Sequence, residues 1–470
     1  MEHQFYETDE SFRDTIATIN EEGKRNWIYP KKPVGRYYNA RSLVSYALLI
    51  FLFAGPFIRI GGQPLLLLNL IERKFVIFGQ IFWPQDFYLF VLAMLTFILF
   101  IILFTVIFGR LFCGWVCPQT IFMEMVFRKI EYWIEGDYRQ QRALNNGPWD
   151  ANKVVRKGSK WAVFFLISFL ISNIFLAYII GSDDLISIIS DSPSKHLQGL
   201  TSILIFTGVF YFVFAWFREQ VCIVVCPYGR LQGVMLDANS VVVAYDYVRG
   251  EKREKFRKGE DRKNSDKGDC IDCKQCVHVC PTGIDIRNGT QLECINCTAC
   301  MDACDDIMDK VGLDRGLIRY DSEKGIADKE KWKLTGRTLA YSVVLLVLVT
   351  IFGFLLAGRN DVEASLLRTP GMLYQKKEND RISNLYNLKI INKTKEAMEM
   401  ELKLLNMDGE LELVGNGDLK IEPQGVTEGV LFIILKNEDI RSMKTELKVG
   451  VFSNGELIET VKTNFMGPNK

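Results

Sequence analysis

Histidine is scarce in this 470-residue chain, which contains only His3, His196 and His278. None of the three lies in a long apolar segment, so a haem held by two histidines inside a membrane is excluded. The haem-attachment motif C-x-x-C-H and a glycine-rich dinucleotide fingerprint are both missing, and we expect neither covalent haem nor bound NAD(P)H. The net charge of +1 provides no general field for nucleic acid, and no nucleic-acid partner is expected.

Cysteine is absent from both ends of the chain. All twelve cysteines lie between Cys113 and Cys304, and the last 166 residues contain none. A disulfide framework spreads its cysteines through a domain, whereas metal ligands cluster at short fixed spacings. The cysteines are therefore interpreted as ligands or redox groups, and the C-terminal region must be stable without disulfides.

Five segments are long and apolar enough to cross a bilayer, which takes about 20 helical residues. They are residues 41–60, 87–109, 160–180, 198–217 and 337–357. Residues 61–86 are also apolar, but Glu72, Arg73 and Lys74 interrupt them, which favours an interfacial or re-entrant hairpin over a sixth span. The first 40 residues are polar and show no cleavable signal peptide, so the first span is expected to be an anchor.

The basic residues predict the orientation of these spans. The loop at 181–197 carries one lysine against three aspartates, whereas the loop at 110–160 is strongly basic. Its positive residues are Arg110, Arg128, Lys129, Arg139, Arg142, Lys153, Arg156, Lys157 and Lys160. Because short basic loops stay in the cytoplasm, we expect a multi-pass protein of the inner (cytoplasmic) membrane, with its N-terminus in the cytoplasm and its C-terminus in the periplasm.

The predicted organisation has five parts. They are a cytoplasmic segment at 1–40, a four-span membrane region at 41–217, a cytoplasmic linker and ferredoxin domain at 218–336, a fifth transmembrane helix at 337–357, and a periplasmic β domain at 358–470. The basic stretch "VRGEKREKFRKGEDRKNSDKGD" in the third part is interpreted as a solvated linker, with contact to anionic lipid headgroups as the alternative. Alternating segments such as "MEMELKLLN", with Asp-Gly or Asn-Gly turn signals at 408, 416 and 454, predict an antiparallel β-sandwich in the last part.

Two cysteine runs share the spacing C-x-x-C-x-x-C-x-x-x-C, which is typical of paired [4Fe–4S] clusters. In such pairs the fourth cysteine of each run ligates the other cluster. The first cluster is therefore expected on Cys270, Cys273, Cys276 and Cys304, and the second on Cys294, Cys297, Cys300 and Cys280. Zinc sites are the alternative, but zinc favours two separated cysteine pairs. Pro281 follows the first run whereas Asp305 follows the second, and His278 is expected to pack or to lie at the surface rather than to ligate.

Four further cysteines form two pairs, Cys113 with Cys117 and Cys222 with Cys226, each followed by a proline. Residues four apart share a helix face, and both pairs lie at the cytoplasmic end of a span. If these ends meet, the thiols can bind Cu(I), hold a third cluster, or cycle between dithiol and disulfide. The alternative is that each is a small buried apolar residue. Three nearby methionines could assist copper, although packing is the favoured role: Met123, Met125 and Met235.

Several segments carry a specific resemblance. "ERKFVIFGQIFWPQDFYLF", "GRLFCGWVCPQTIFMEMVFRKIE", "VCIVVCPYGRLQGVMLD", the paired cluster runs and "NLYNLKIINKT" resemble the cytochrome c oxidase accessory proteins of the CcoG/FixG type. The resemblance extends from about residue 25 to the end of the chain. It implies a membrane polyferredoxin needed to build a cbb-type oxidase, with an immunoglobulin-like C-terminal region. It also implies reduction of Cu(II) to Cu(I), for which Cys113, Cys117, Cys222 and Cys226 are the candidate catalytic residues.

The expected fold is a multidomain membrane protein: a five-span helical bundle with an inserted bacterial-type two-cluster ferredoxin domain and a C-terminal immunoglobulin-like β-sandwich. The expected function is cupric reduction during oxidase assembly. Expected partners are the lipid bilayer, copper, an electron donor that the sequence does not identify, and oxidase subunits or a copper transporter. Two alternatives stay open: a quinol-linked electron-transfer module for another periplasmic reductase, and a non-enzymatic oxidase assembly factor.

Overall fold

The computed structural model describes residues 18–468, apart from 20, 21, 72, 258, 259, 261, 263–265, 331, 332, 372, 379, 395, 416–418, 424 and 441. The chain divides into two compact units. The first contains the residues up to Phe78 together with Trp83–Phe352, and the second contains Gly79–Phe82 and the residues from Gly353 onward.

The first unit is mainly helical, because long apolar segments satisfy their backbone groups most simply within a helix. Its helices are α1 (Arg36–Ala54), α2 (Phe87–Phe108), α3 (Leu111–Trp115), α4 (Pro118–Thr120), α5 (Arg128–Ile134), α6 (Tyr138–Asn146), α7 (Ala151–Ile180), α8 (Ser182–Ser190), α9 (Leu197–Phe212), α10 (Pro227–Met235), α11 (Tyr247–Gly250), α12 (Gln275–His278), α13 (Ala299–Val311), α14 (Glu323–Ala327) and α15 (Gly336–Ala357), the last of which continues into the second unit. Three π-helical segments adjoin them, at Ile121–Phe127, Val213–Phe217 and Val221–Val225.

Among the described residues, four helical stretches are long and apolar enough to cross a membrane: Phe87–Phe108, Ala151–Ile180, Pro193–Phe217 and Gly336–Ala357. The span in α7 is the most enclosed, with 39% of its apolar window buried, against 0% in α15. The expected first span at 41–60 is not among the four. Its helix, α1, ends at Ala54, begins with a polar turn and buries Arg41.

The apolar stretch that follows α1 forms short strands rather than a sixth helix. They are β1 (Arg59–Ile60), β2 (Gln63–Pro64), β3 (Leu66–Asn69), β4 (Lys74–Ile77) and β5 (Gln80–Phe82). β1 pairs with β2, and β3 pairs with β4 so that Leu66 lies opposite Ile77. The stretch is thus an antiparallel β-hairpin in its described residues, and its interfacial or re-entrant location stays a prediction. Glu72 lies outside the described residues.

The cysteine runs belong to a small α/β region of the first unit. Its strands, β6 (Val242–Tyr245) and β7 (Ile318–Asp321), pair antiparallel. The side chains that form its core come from both strands, from α13 and from the loops between them: Val243, Ile284, Ile286, Met301, Met308, Leu317 and Ile318. This core provides the apolar surroundings in which the cysteines lie.

The basic stretch before the first cysteine run is not a solvated linker in the part that the structure describes. Arg262 is 4% exposed, and its guanidinium donates to the carbonyls of Gly268, Cys270 and Glu254. Arg249 forms an ion pair with Asp269. The prediction of a solvated linker is therefore wrong for these residues, because the arginines satisfy backbone carbonyls that the loop would otherwise leave without donors.

The N-terminus of α1 is held against α13. The carboxylate of Asp302 accepts from the backbone N–H groups of Tyr37 at 3.1 Å and Tyr38 at 2.7 Å. These are first-turn donors that have no partner within their own helix. Gly35 makes this approach possible, since a Cβ there would lie 2.2 Å from the Asp302 side chain. The cysteine-bearing region and the helical region are therefore joined at this end.

Glu131 is the centre of a buried charge cluster near the ends of α7 and α9. It is 3% exposed and accepts from Arg218 at 3.0 and 3.1 Å, and Arg128 lies 3.4 Å away. Lys160 bridges Glu131 to Glu135, at 3.7 and 3.0 Å. Burial opposes ionisation, but the guanidinium groups of Arg218 and Arg128 hold the pKa of Glu131 at about 2. Several basic residues counted as loop charges in the sequence are thus buried ion-pair partners.

The second unit contains two antiparallel sheets. Its strands after β5 are β8 (Val362–Arg368), β9 (Gln375–Lys377), β10 (Arg381–Asn392), β11 (Met398–Leu404), β12 (Gly409–Leu413), β13 (Leu419–Ile421), β14 (Val426–Lys436), β15 (Lys444–Ser453) and β16 (Glu456–Met466). One sheet has the order β12-β14-β10-β8, with β9 also on β10, and the other has the order β13-β11-β15-β16. The predicted β-sandwich is confirmed.

An apolar core without disulfides holds these sheets together. Tyr386, Leu431, Ile433, Val451 and Phe465 each have no exposed surface. The Tyr386 hydroxyl donates to the carbonyl of Asn464 at 2.9 Å, so its polar end is satisfied across the two sheets. A buried tyrosine needs such a partner, and this bond fixes how the sheets face each other.

The three turn signals had different outcomes. Asn454 and Gly455 both have positive φ, at 50° and 82°, and connect β15 to β16, as expected of an Asn-Gly hairpin turn. The Asp-Gly signal at 408 is wrong as a hairpin turn, because β11 and β12 belong to different sheets and the chain crosses between them there. The signal at 416 lies outside the described residues.

We expect Glu131→Ala to destabilise the first unit by about 3–5 kcal/mol, because it leaves buried cations without their counter-charge. Thermal unfolding of the detergent-solubilised protein measures this effect. Lys310→Ala is the matched control, since Lys310 and its partner Asp306 are both exposed and such pairs contribute about 0–1 kcal/mol. Equal unfolding temperatures for the two variants would show that the buried cluster is not a major contributor.

Candidate functional site

Two cavities in the cysteine-bearing region are each lined by cysteines of both runs. The first cavity, of about 360 Å³, is lined by four: Cys270, Cys273, Cys276 and Cys304. The second, of about 340 Å³, is lined by five: Cys276, Cys280, Cys294, Cys297 and Cys300. The first cavity thus takes three cysteines from the first run and one from the second, and the second cavity takes three from the second run and two from the first. The structure therefore brings together the two sets expected from the spacing.

The two runs share one backbone conformation. Asp272 and Lys274 in the first run have φ of 50° and 55°, and Asn296 and Thr298 at the matching positions have φ of 52° and 66°. Left-handed residues at such short intervals turn successive N–H groups toward one point, which forms an anion-binding concavity common in iron–sulfur sites. Both cavities therefore fit a [4Fe–4S] cluster, an anion held by four thiolates.

Burial strongly favours the neutral thiols in these cavities. It raises the pKa of Cys276 and of Cys294 to about 12 and that of Cys297 to about 11. Thiolates form in such surroundings only when a cation compensates them, and metal binding then releases the protons. The cavities are accordingly suited to thiols that are permanently bound to metal rather than free in water.

The residues that depart from a strict repeat have structural explanations. Pro281 follows the last cysteine of the first run, whereas Asp305, at the matching position of the second run, lies within α13. The Asp305 carboxylate accepts from the N–H of Gly316 at 2.9 Å. His278 ends α12 and stacks on Tyr138, with ring centroids 6.0 Å apart. His278 is not in the lining of either cavity. His278 is exposed and stacks on a neighbouring ring, a position compatible with the expected packing or surface role.

The four remaining cysteines lie at helix breaks rather than on uninterrupted α-helices. Cys113 is in α3, and Cys117 is the residue before α4, whose first residue is Pro118. Cys222 is in a π-helical segment, and Cys226 precedes α10 in the same way. Proline suits the first position of a helix because its missing N–H has no partner there anyway. Each C-x-x-x-C-P motif therefore ends one short helix and begins another.

These breaks bring the two pairs near each other, since the Cys113 thiol donates to Gln232 of α10 at 3.0 Å and Cys226 directly precedes that helix. Burial, together with the smaller effects of the thiols of Cys117, Cys113 and Cys226, raises the pKa of Cys222 to about 12. Burial likewise raises the pKa of Cys113 to about 11, against the opposing charge of Arg110. The thiols are thus close enough to influence one another's ionisation, and we call these four residues the thiol site.

Gln232 and Arg110 hold the thiol site in place. Gln232 is fully buried in α10, and its Oε1 accepts from the Cys113 thiol at 3.0 Å and from Arg110 Nε at 3.1 Å. Arg110 also donates to the carbonyl of Leu292, which lies just before the second cysteine run. A single arginine therefore contacts both the wall of the thiol site and the loop of the second cavity.

The thiol site and the second cavity share a wall. Gly114 lies against the backbone of the second run, where a Cβ would be 2.4 Å from the Ile295 carbonyl oxygen and 2.8 Å from that of Asn296. Cys113 packs in one apolar cluster with Ile295 and Cys297. A thiol of the first C-x-x-x-C-P motif is therefore in direct packing contact with residues of the second cavity.

The sequence did not indicate the roles of Arg41 and Arg110. Arg41 was part of the predicted first span, yet it is 2% exposed and its Nε donates to the Gly114 carbonyl at 2.6 Å. Arg110 was counted as a cytoplasmic loop charge, yet it is 4% exposed. One feature of the sequence could have indicated a buried role for Arg110: it lies directly between a long apolar segment and a cysteine motif.

Two of the methionines near the thiol site, Met123 and Met125, are buried and contribute to packing. Met123 lies in the core that α7 forms with the π-helical segments, and Met125 accepts a long contact of 3.7 Å from Ser42. In the described part of the chain, no three His, Cys, Asp or Glu side chains are arranged so as to hold a single metal ion.

Three family models match the chain. A 4Fe–4S dicluster domain matches residues 217–323, and the Ig-like fold at the C-terminal of FixG matches residues 352–468. A 4Fe–4S binding domain matches residues 90–137, a range that includes Cys113 and Cys117. Iron–sulfur domains therefore cover both the cysteine runs and the first thiol pair.

Curated relatives cover most of the chain. Protein RdxB of Cereibacter sphaeroides is 33% identical over 81% of this chain and 82% of its own length. The nitrogen fixation protein FixG of Rhizobium meliloti is 34% identical over 67% of this chain and 61% of its own length. A crystal structure of a FixG-related protein from Vibrio parahaemolyticus matches 23% of this chain and 97% of its own, at 20% identity and a TM-score of 0.20. The chain belongs to the FixG family of membrane iron–sulfur electron-transfer proteins.

Proposed function

We propose that this protein reduces Cu(II) to Cu(I) at the thiol site, with electrons that pass through two [4Fe–4S] clusters, for delivery of copper to a cbb-type cytochrome c oxidase during its assembly. The observation that carries the proposal is the shared wall between the second cavity and the thiol site at Gly114 and Cys113. Thiols that adjoin an electron carrier can hold a thiophilic ion where the electron arrives.

The cavity linings support the ligand sets expected from the spacing. Cys270, Cys273, Cys276 and Cys304 would hold the first cluster, and Cys280, Cys294, Cys297 and Cys300 would hold the second. Each cluster would supply single-electron transfer when bound. The chain's own contribution is to bury most of these cysteines in an apolar core, which limits the access of water to them.

The exposure of the cysteines supports an order in which electrons pass through the two cavities. Cys273 is exposed, whereas the four cysteines that line the second cavity are buried or half-buried. The first cavity is therefore the one a soluble one-electron donor reaches, and the second leads to the thiol site. Each Cu(II) takes up one electron and becomes Cu(I), and the donor on the cytoplasmic side is oxidised by one electron for each copper ion.

The proposed topology has five spans, with α1 as the first, although it is shorter and more polar than the other four helices. This number places residues 1–40 and the cluster region in the cytoplasm and the β-sandwich in the periplasm, consistent with the basic loop at 110–160. The β-sandwich then provides a surface for oxidase subunits or a copper transporter on the side where copper is inserted.

A second candidate role for the thiol site is to hold a third [4Fe–4S] cluster. It is favoured by the 4Fe–4S binding domain that matches residues 90–137. Four thiols are the number that such a cluster needs. Copper would then be reduced elsewhere, and the iron content of the protein separates the two roles.

We expect anaerobically purified protein to contain about eight irons per chain, as two cubane clusters require. Cys304→Ser should remove the same cluster as Cys273→Ser, and Cys280→Ser the other one, as measured by iron content and by electron paramagnetic resonance of the reduced protein. Cys117→Ser is the control and should retain about eight irons. A wild-type content of about twelve would instead assign a third cluster to the thiol site.

We expect the anaerobic, cluster-loaded protein to form Cu(I) from Cu(II), detected with a Cu(I)-specific chelator after chemical reduction of the clusters. The double variant Cys113→Ser with Cys222→Ser should slow this reaction at least about tenfold, because copper loses soft ligands from both halves of the site. Met235→Leu, at the last residue of α10, changes no member of the thiol site and should leave the rate unchanged. An unaltered rate in the double serine variant would remove the thiols from the mechanism.

We expect protease added to spheroplasts to cleave residues 358–470 from the membrane-bound remainder, because the periplasm lies on the accessible side. An N-terminal tag and the cluster region should stay protected until the membrane is permeabilised. Immunoblots against tags at the two ends measure this difference. Loss of the N-terminal tag before permeabilisation would contradict the five-span topology.

A further inference from the structure

Arg41 and Arg110 are two buried cations at the wall that the second cavity shares with the thiol site. Arg41 donates to the carbonyl of Gly114, the residue after Cys113. Arg110 donates to the carbonyl of Leu292 and to Gln232 Oε1, the oxygen that also accepts from the Cys113 thiol. Cys113 is therefore linked to both guanidinium groups through one intervening group each.

Neither guanidinium forms an ion pair with a carboxylate in the part of the chain that the structure describes, since Arg41 contacts a carbonyl and Arg110 contacts an amide and a carbonyl. Arg41 also has one buried nitrogen, Nη2, without a hydrogen-bond partner among the described residues. A buried charge without a counter-charge is expensive. The buried Arg128 and Arg218, in contrast, both pair with Glu131. The positive charges of Arg41 and Arg110 are therefore available to stabilise a nearby anion.

The groups that these cations face are the cysteines of the second cavity and of the thiol site. Arg41 holds the carbonyl of Gly114, and Gly114 lies against the backbone of Ile295 and Asn296 between the cavity cysteines Cys294 and Cys297. Arg110 holds the carbonyl of Leu292, two residues before Cys294, and shares Gln232 Oε1 with the Cys113 thiol. Both positive charges therefore act on the anion that four thiolates and iron would form in the second cavity.

The first cavity has no comparable excess of positive charge. Its arginine, Arg287, is bound to Asp272 and Asp285 at 2.6 Å each. Asp305, which directly follows Cys304, is also buried, so a further carboxylate adjoins this cavity. The cation near the first cavity is neutralised by acids, whereas the cations near the second are not.

We propose that Arg41 and Arg110 are positioning charges that stabilise the reduced state of the second cluster and raise its reduction potential above that of the first. The inference depends on the proposed pair of clusters. One-electron reduction adds a negative charge to a cluster held by four thiolates, and a fixed positive charge in a water-poor site stabilises that product. An electron that enters at the exposed first cavity is thereby drawn to the cluster beside the thiol site.

The test is a redox titration of the cluster-loaded protein, followed by electron paramagnetic resonance, in Arg41→Met, Arg110→Met and their lysine counterparts. Each methionine variant should shift the potential of the second cluster to more negative values and leave the first unchanged, and the two shifts should sum in the double variant. The lysine variants should retain most of the wild-type potential. The signals are assigned with Cys273→Ser, which removes the first cluster.

Arg315→Met is the control, since Arg315 is an exposed arginine paired with Asp309 in the same region, and it should change neither potential. Iron content is measured first in every variant, and Arg41→Met alone tests the charge if Arg110→Met loses iron. An unchanged second potential in the iron-loaded methionine variants would overturn the inference. The inference would also be overturned if the lysine variants shifted the potential of the second cluster as far as the methionine variants do, or if lysine and methionine variants alike lost that cluster.

A wild-type protein with fewer than about eight irons would instead contradict the proposed function.

Discussion

The contact of Gly114 with the carbonyls of Ile295 and Asn296 is the constraint on which the rest of the first unit depends. A Cβ at this position would lie 2.4 Å from the Ile295 oxygen, so only glycine allows the two backbones to meet. The contact joins a turn at the end of a long apolar helix to a loop that comes about 180 residues later in the sequence. With it in place, the cysteine-bearing region lies directly against the ends of the spans, and no linker separates the two.

Helix breaks make this contact possible. An uninterrupted α-helix through Cys113 and Cys117 would present both thiols along one face and leave the intervening Gly114 turned to another face. Instead, the chain stops after α3 and restarts at Pro118, and it does the same before Pro227. In α10 the Cys226 thiol accepts from the N–H of Gly229 at 3.4 Å, so a cysteine replaces the usual cap. The proline that ends each motif therefore orients the thiols as well as the helices.

The parts of this structure that the sequence predicted are those governed by local spacing. Two residues between cysteines are enough to determine a tight turn, and the grouping of Cys304 with the first run and Cys280 with the second followed from the repeat. Asn454 and Gly455 likewise form their turn from local conformational preference. The missed features depend on contacts between distant segments. Arg110 resembles any loop arginine until Leu292 and Gln232 surround it, and the basic stretch resembles a linker until Arg262 finds its carbonyls.

The buried charges of the first unit fall into two classes with different physical consequences. Around Glu131, cations and carboxylates compensate one another, and such a cluster stabilises one arrangement of helices without favouring any change of charge. Near the second cavity, Arg41 and Arg110 pair with no carboxylate among the described residues, and the nearby carboxylate of Glu124 pairs with Arg128 instead. Negative charge in the cavity is therefore stabilised by cations that are not already compensated. Elsewhere in the first unit, buried arginines are neutralised by carboxylates: Arg128 and Arg218 pair with Glu131, and Arg287 pairs with Asp272. Among the described residues, the lack of a carboxylate partner for Arg41 and Arg110 is therefore a local property of the wall beside the thiol site, and it is the physical basis of the proposed direction of electron transfer toward the thiols.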